Sequence, residues 1–242
     1  MISVCMATYN GERFIKEQID SILPQLSKDD ELIISDDGST DRTLEIIASY
    51  KDERINVFHH KKNPEYAKIK HSRNFYYATS NFENALKQAK GDYIFLSDQD
   101  DVWMPNKVQK MIPKLKEFDC VMSNYNIIDA SGRIISTMVF DNLKLKNSYL
   151  FNLIKTPFLG CLIGFNQEVL NRILPFPKKL ISHDLWIGCI ACKKFNMTFI
   201  NEALVAHRKH TCNTSNVTEK SKNPFFMKIF YRLKLLINLI NR

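Results

Sequence analysis

Short apolar segments and helix-length segments take turns along the first half of this chain, and that alternation constrains the fold more than any other feature. Residues 3–9, 31–35, 55–59, 93–97 and 120–129 read as strands, rich in Val, Ile, Leu and Phe. Residues 12–26, 40–50, 80–90 and 106–116 between them read as helices. In the first of these, Phe14, Ile15, Ile19, Ile22, Leu23 and Leu26 recur at helical spacing. Strands separated by helices of about ten to fifteen residues predict an α/β fold with a mostly parallel sheet, right-handed crossovers and helices on both faces. Gly91 follows residues 80–90 where a helix-ending glycine belongs. Asp41 lies near a helix start, where a carboxylate meets the dipole favourably.

The second half is less regular. Residues 158–165 are apolar and suit a strand, 183–195 a helix and 198–205 another strand. Residues 61–77 form an irregular stretch whose Lys68, Lys70, His71 and Arg73 suit either a loop near anions or an ordinary solvated loop. The 242 residues fit one α/β domain over 1–218 and a tail over 219–242. In the tail, Phe226, Ile229, Phe230, Leu233, Leu236, Ile237 and Ile240 recur at helical spacing, an amphipathic helix.

Charge is unevenly spread. The formal net charge is +8, and residues 220–242 contribute +6 of it through Lys220, Lys222, Lys228, Arg232, Lys234 and Arg242, with no acid. The body is therefore nearly neutral and carries no nucleic-acid footprint. A basic amphipathic tail suits either the surface of an anionic membrane or packing on protein. The first residues lack a signal-peptide pattern, and there is no run of 18 apolar residues, so no leader and no spanning helix are expected. Six scattered cysteines then read as free thiols of a reducing, cytoplasmic compartment. Cys189 and Cys192 read as small apolar residues on one helix face, and the glycosylation-type triplets at 213–215 and 216–218 carry no weight.

The strand at 93–97 runs straight into Asp98, Asp100 and Asp101. Carboxylates so close repel one another and raise each other's pKa, a conflict that a divalent cation resolves. Hard oxygen donors suit Mg²⁺ or Mn²⁺, which commonly bind through one or two carboxylates plus substrate phosphates. The cluster also sits at the carboxyl end of a strand, where ligands bind in open α/β sheets. Asp36 and Asp37 end the second strand, where a carboxylate can accept from a ribose hydroxyl or a base N–H, and at least one of them is expected there. Asp184 stands at a helix start, a place for a cap or for a functional carboxylate held ionised by the dipole.

Three motifs carry a resemblance: Ala7-Thr8-Tyr9-Asn10-Gly11, Asp36-Asp37-Gly38-Ser39-Thr40-Asp41 and Ser97-Asp98-Gln99-Asp100-Asp101-Val102-Trp103. With the strand–helix order, the chain from about residue 2 to about residue 215 resembles family 2 glycosyltransferases. The resemblance implies the Rossmann-like GT-A fold and inverting transfer from a nucleoside-diphosphate sugar, such as a UDP- or dTDP-sugar. The Asp-Gln-Asp-Asp-Val-Trp run is similar to rhamnosyltransferase-like enzymes of surface-polysaccharide assembly. It implies that the Thr8, Tyr9 and Asn10 loop lines the nucleotide, with Asp37 at the base and Asp98 at both nucleotide and metal. Asp98, Asp100 and Asp101 would form the metal site, and Asp184 would be the general base. Arg208-Lys209-His210 matches an Arg-x-His of similar members, so His210 becomes a metal ligand and Arg208 or Lys209 a phosphate partner, while His207 reads as surface loop. The implied partners are a glycan acceptor on a lipid and the inner face of the plasma membrane, and the cofactor is Mn²⁺ or Mg²⁺. Two alternatives stand beside this reading: a sugar nucleotidyltransferase, for which Asn10-Gly11-Glu12-Arg13 is a poor loop, and a sugar-nucleotide or glycan-binding protein without turnover.

Overall fold

A computed structural model describes residues 1–70, 72–140, 149–155, 157–180, 182–210 and 225–242. Strand β1 (Ile2–Thr8) lies at the centre, paired in parallel with β2 (Glu31–Asp36) and with β4 (Tyr93–Asp98), while β3 (Ile55–His59) adds to β2. The helices α1 (Ile15–Ile22), α2 (Thr43–Ala48), α3 (Arg73–Leu86) and α4 (Lys107–Leu115) alternate with these strands. Val4, Cys5 and Met6 of β1 and Leu32, Ile33 and Ile34 of β2 are wholly buried. Near-continuous apolar runs are what a parallel sheet covered on both sides requires.

Beyond β4 the sheet turns mixed. β8 (Ile163–Asn166) inserts antiparallel between β4 and β6 (Cys120–Ile128). β9 (Met197–Arg208) then runs parallel to β6, and two short strands, β5 (Val102–Trp103) and β7 (Ile134–Ser136), pair antiparallel at the rim. The strand order is β3-β2-β1-β4-β8-β6-β9-β5, with β7 on β6. The long ladders are parallel and the short ones antiparallel, so the expected α/β sheet is present with an inserted reversed strand.

Several boundaries differ from the sequence reading. The 61–77 stretch contains a 3₁₀ turn over Pro64–Lys68, and α3 already starts at Arg73. Residues 158–165 divide into a 3₁₀ turn over Gly160–Leu162 and β8. Gly91 does not cap α3, which ends at Leu86; a Cβ at Gly91 would sit 2.6 Å from the Ser3 backbone nitrogen, so the glycine allows the chain to cross β1 closely.

Three further helices follow: α5 (Tyr149–Lys155), α6 (Gln167–Ile173) and α7 (His183–Lys194). The tail helix α8 (Phe225–Ile240) rests on α5 and α7, burying Leu235 and Leu239. Most of the stripe picked out by its periodicity faces outward, with Phe226 83%, Phe230 70% and Ile240 64% exposed, while Leu236 is half-buried against the core. Cys189 and Cys192 lie on α7, and Cys5, Cys120, Cys161, Cys189 and Cys192 form no disulfide among the described residues. No helix among the described residues is long and apolar enough to cross a membrane. Cys212 and the 213–218 triplets lie outside the described residues, as does His71.

Candidate active site

Parallel register gathers the functional side chains. Thr8 pairs with Asp36 and Ala7 with Asp98, so the carboxyl ends of β1, β2 and β4 open at one level. The two acids that end β2 part company there. Asp36 is wholly buried and accepts from Thr8 Oγ1 at 3.0 Å and from the Gly38 and Ser39 backbone N–H groups at 3.0 and 2.8 Å. It builds the turn. Asp37 meets His60 Nδ1 at 2.6 Å and Lys62 Nζ at 3.4 Å. Lys62 also lies 3.7 Å above the Tyr9 ring, which is 48% exposed. Asp37, His60, Lys62 and Tyr9 thus form a polar corner with one open aromatic face. Asn10, at φ 47°, accepts from Thr40 N–H at 2.8 Å and shapes the loop. Gln99 clamps that loop to the acidic run: it accepts from Tyr9 N–H at 2.9 Å and donates to Tyr9 O at 3.1 Å.

The acidic run itself splits into an outer and an inner layer. Outside, Asp100 Oδ2 meets His210 Nε2 at 2.8 Å, so the two ends of the expected metal set touch although 110 residues separate them. Inside, Asp101 is fully buried; its Oδ1 accepts from Arg208 N–H at 3.0 Å and stands 2.9 Å from His207 Nδ1. Asp98, Asp101, Cys161 and His207 each bring one donor atom within 4.8 Å of the others. His207 is therefore a buried site residue and not part of a surface loop. Burial would lower its pKa, but Asp101 outweighs that and raises it to about 9. Burial pushes the Asp98 carboxyl well above its usual range, and the charges of Asp101, Asp100 and Asp184 add to the rise.

Lys107 opens α4 and is wholly buried behind this cluster. Its Nζ donates to Cys161 O at 2.6 Å and lies 4.1 Å from the centre of the Trp103 ring. Burial lowers its pKa to about 7, against the pull of Asp101 and Asp98. Arg208, expected at the donor phosphates, is 1% exposed. Its guanidinium donates to Asp100 O at 2.9 Å, Asp129 O at 3.3 Å and Glu17 Oε2 at 2.6 Å, bracing β9 against α1 and the acidic loop. A phosphate role has no support in that arrangement.

Asp184 does not cap α7. Ser182 does, accepting from Leu185 N–H at 3.2 Å, which leaves the Asp184 carboxylate to other work. His183 Nε2 stands 2.7 Å from Asp184 Oδ1, and its ring stacks on Phe82 at 4.1 Å. Thr79 Oγ1 accepts from His183 N–H at 3.3 Å, fixing this corner to α3. A Cβ at Gly160 would lie 2.5 Å from Asp184 Oδ1, so only glycine lets the carboxylate occupy its place. Gly160, on which the Asp184 carboxylate packs, directly precedes Cys161 of the buried cluster, which brings the helix-start acid next to the acidic run.

The donor set fits a divalent cation. Among the described residues the donor atoms that come together are those of Asp98, Asp101, Cys161 and His207, while Asp100 and His210 meet as a pair, and the carboxylates and imidazoles among them are ligands of the type Mn²⁺ accepts. The buried Asp101 Oδ2 has no hydrogen-bond partner among the described residues, and the Asp98 carboxyl, raised first by burial and then by the neighbouring acids, is in a setting that a cation relieves. His60, Lys62, Gln99 and Lys107 had no place in the sequence reading; each is positioned by contacts with distant segments.

Comparison with known proteins shows the family. Residues 3–174 match the family model described as glycosyl transferase family 2. An uncharacterized glycosyltransferase of Nostoc sp. is 27% identical over 88% of this chain, and the chain spans 66% of that relative's length. The Escherichia coli UDP-Glc:alpha-D-GlcNAc-diphosphoundecaprenol beta-1,3-glucosyltransferase WfgD is 28% identical, over 92% of this chain and 81% of its own. The crystal structure of S. aureus TarS with UDP-GlcNAc superposes with a TM-score of 0.70 at 20% identity, over 98% of this chain and 66% of that one. With more than half of its length matched to the family model, this chain belongs to glycosyl transferase family 2.

Proposed function

We propose that this protein is an inverting glycosyltransferase that moves a sugar from a nucleoside-diphosphate donor to a hydroxyl of a lipid-linked glycan. The observation that carries the reading is Asp184, which leaves the capping to Ser182 and packs on Gly160 next to Cys161 of the buried cluster. Inversion needs one base, which takes the acceptor proton as its oxygen attacks the anomeric carbon opposite the leaving group. Asp184 is that base, and His183 and Gly160 hold it in position. Asp37, with Tyr9, receives the nucleoside, and Gln99 keeps the Tyr9 loop at the acidic run.

Asp98, Asp100 and His210 would hold Mn²⁺ or Mg²⁺, which when bound neutralises charge on the departing diphosphate. Asp101 keeps His207 and the Arg208 backbone in place beneath them. Arg208 serves as a brace. UDP- and dTDP-sugars, dTDP-rhamnose among them, are the donors to try, and the WfgD likeness supports a lipid diphosphate on the acceptor side. The basic, outward-facing α8 fits peripheral contact with an anionic membrane.

A thermal-shift screen of UDP, dTDP and their sugars, with Mn²⁺, Mg²⁺ or chelator, tests the reading. A native-state ligand raises the melting temperature by mass action. A cation-dependent rise is the expected outcome, and no rise with any of them on folded protein would contradict it.

A further inference from the structure

The 3₁₀ turn Gly160–Leu162 is in contact with both acidic centres and with a buried lysine that the proposed function does not use. Gly160 lies against α7, where its missing side chain makes room for Asp184 Oδ1 and His183 Nε2. Cys161 joins the inner cluster, its Sγ within 4.8 Å of the donor atoms of Asp98, Asp101 and His207. Just before the turn, the Phe158 ring packs on Gly188, where a Cβ has no space. The segment is therefore seated on α7 at Asp184 and again one helical turn further along.

The Cys161 carbonyl accepts from Lys107 Nζ at 2.6 Å. Both residues are buried, so bulk water does not compete for that bond. The Lys107 amine lies 4.1 Å from the centre of the Trp103 ring. Trp103 in turn pairs with Val205 of β9 and packs at 5.7 Å on Phe95 of β4. Asp98, Asp100, Asp101 and Lys107 all belong to the stretch 98–107. The amine is thus rooted in the segment that carries the acidic run, and the carbonyl it holds belongs to the segment that seats Asp184. A lysine is seldom fully buried unless its polar end is used. A trapped water would satisfy the same carbonyl without tying it to anything. A side chain rooted in α4 fixes its distance from the acids.

Resting on the transferase reading above, in which Asp184 takes the acceptor proton, we propose that Lys107 is a positioning residue: by holding the Cys161 carbonyl it sets where the Gly160–Cys161 turn, and with it Asp184, stands relative to the acidic run. Misplacing a reacting group by about 1 Å costs about 10²-fold in rate, so a hydrogen bond away from the reacting atoms governs turnover.

Hydrogen exchange of the full chain, followed by mass spectrometry, reads the turn without any substrate. Lys107→Met keeps an unbranched stem and loses the donor. It should speed exchange about tenfold or more over 159–163 and 183–187 and leave β1 and β2 unchanged. A uniform rise along the chain, which is loss of global stability alone, or no rise at the turn would overturn the proposal. Turnover then separates the proposal from the reading beneath it. With UDP-glucose and Mn²⁺, Lys107→Met should lower UDP release about 10–10²-fold while calorimetric UDP affinity stays within about twofold. On an Asp184→Asn background the same change should cost less than about threefold, because the two residues act as a unit. A full additive loss there would overturn the proposal and leave Asp184 standing as the base. An Asp184→Asn variant as active as the wild type would remove the base reading, and the proposal with it. If Lys107→Met fails to fold, Lys107→Gln, one atom too short for the Cys161 carbonyl, replaces it with the same expected outcomes.

Discussion

His183, Asp184 and Gly160 make a single device although 23 residues of chain separate the glycine from the histidine. A helix-start carboxylate was legible in the sequence; whether it capped the helix or faced outward was not, because Ser182 and Asp184 are both acceptable caps. The same limit applied to Asp36 and Asp37. Their pairing with the turn or with His60 and Lys62 depends on which strand lies alongside, and composition carries no trace of that. Lys107 is the clearest loss. A lysine in the first helical turn reads as solvated, yet here it is buried behind two acids. Its folded pKa of about 7 lies below the ordinary 10.5, so the unfolded chain binds more protons in that window. Stability supplied by this position is therefore least below about pH 7 and recovers as pH rises toward 10.5. Urea unfolding of the protein and of Lys107→Met at about pH 7 and about pH 9 should show the wild type gaining on the variant at the higher pH. A constant difference would remove Lys107 from the buried, perturbed role.

At the scale of elements, period and order were readable and direction was only partly so. The β1-β2-β4 core follows from apolar runs split by helices. The reversed β8 does not, since a four-residue apolar segment after a long irregular stretch carries no information on its direction. β9 proved longer than its apolar stretch because Ala206, His207 and Arg208 continue the ladder with β6, held by Asp101 and Glu17 and not by apolar packing alone. That extension draws His207 and Arg208 inward and carries His210 to Asp100. For α8 the helical spacing was legible, but the helix docks through Leu235 and Leu239, with Leu236 half-buried beside them, and leaves Phe226, Phe230, Leu233, Ile237 and Ile240 outside. Replacing Phe226 and Phe230 with serine should therefore leave the fold intact and cut sedimentation with phosphatidylglycerol vesicles severalfold, since each aromatic side chain contributes about 1.5–3 kcal/mol when fully buried. Unchanged sedimentation would show that this face does not meet lipid.

The whole molecule places its chemistry where a parallel sheet opens. Thr8, Asp36 and Asp98 end strands paired in register, β9 brings His207 beside Asp101, and α7 packs Asp184 on Gly160. Each contribution comes from a different part of the chain, which is why the order of the motifs pointed to the family better than any single motif. Under the proposed function the two acidic centres have separable duties: one would hold the donor with its cation, and the other would take a proton. The measurement that tests this most directly compares Asp184→Asn with the wild type in two readouts on one donor, calorimetric affinity in the presence of Mn²⁺ and the rate of nucleoside-diphosphate release. Donor affinity should stay within about twofold while turnover falls by about 10²–10⁴-fold, the range lost with a general base. Turnover that survives the substitution, or affinity that collapses with it, would contradict the assignment of Asp184 as the base.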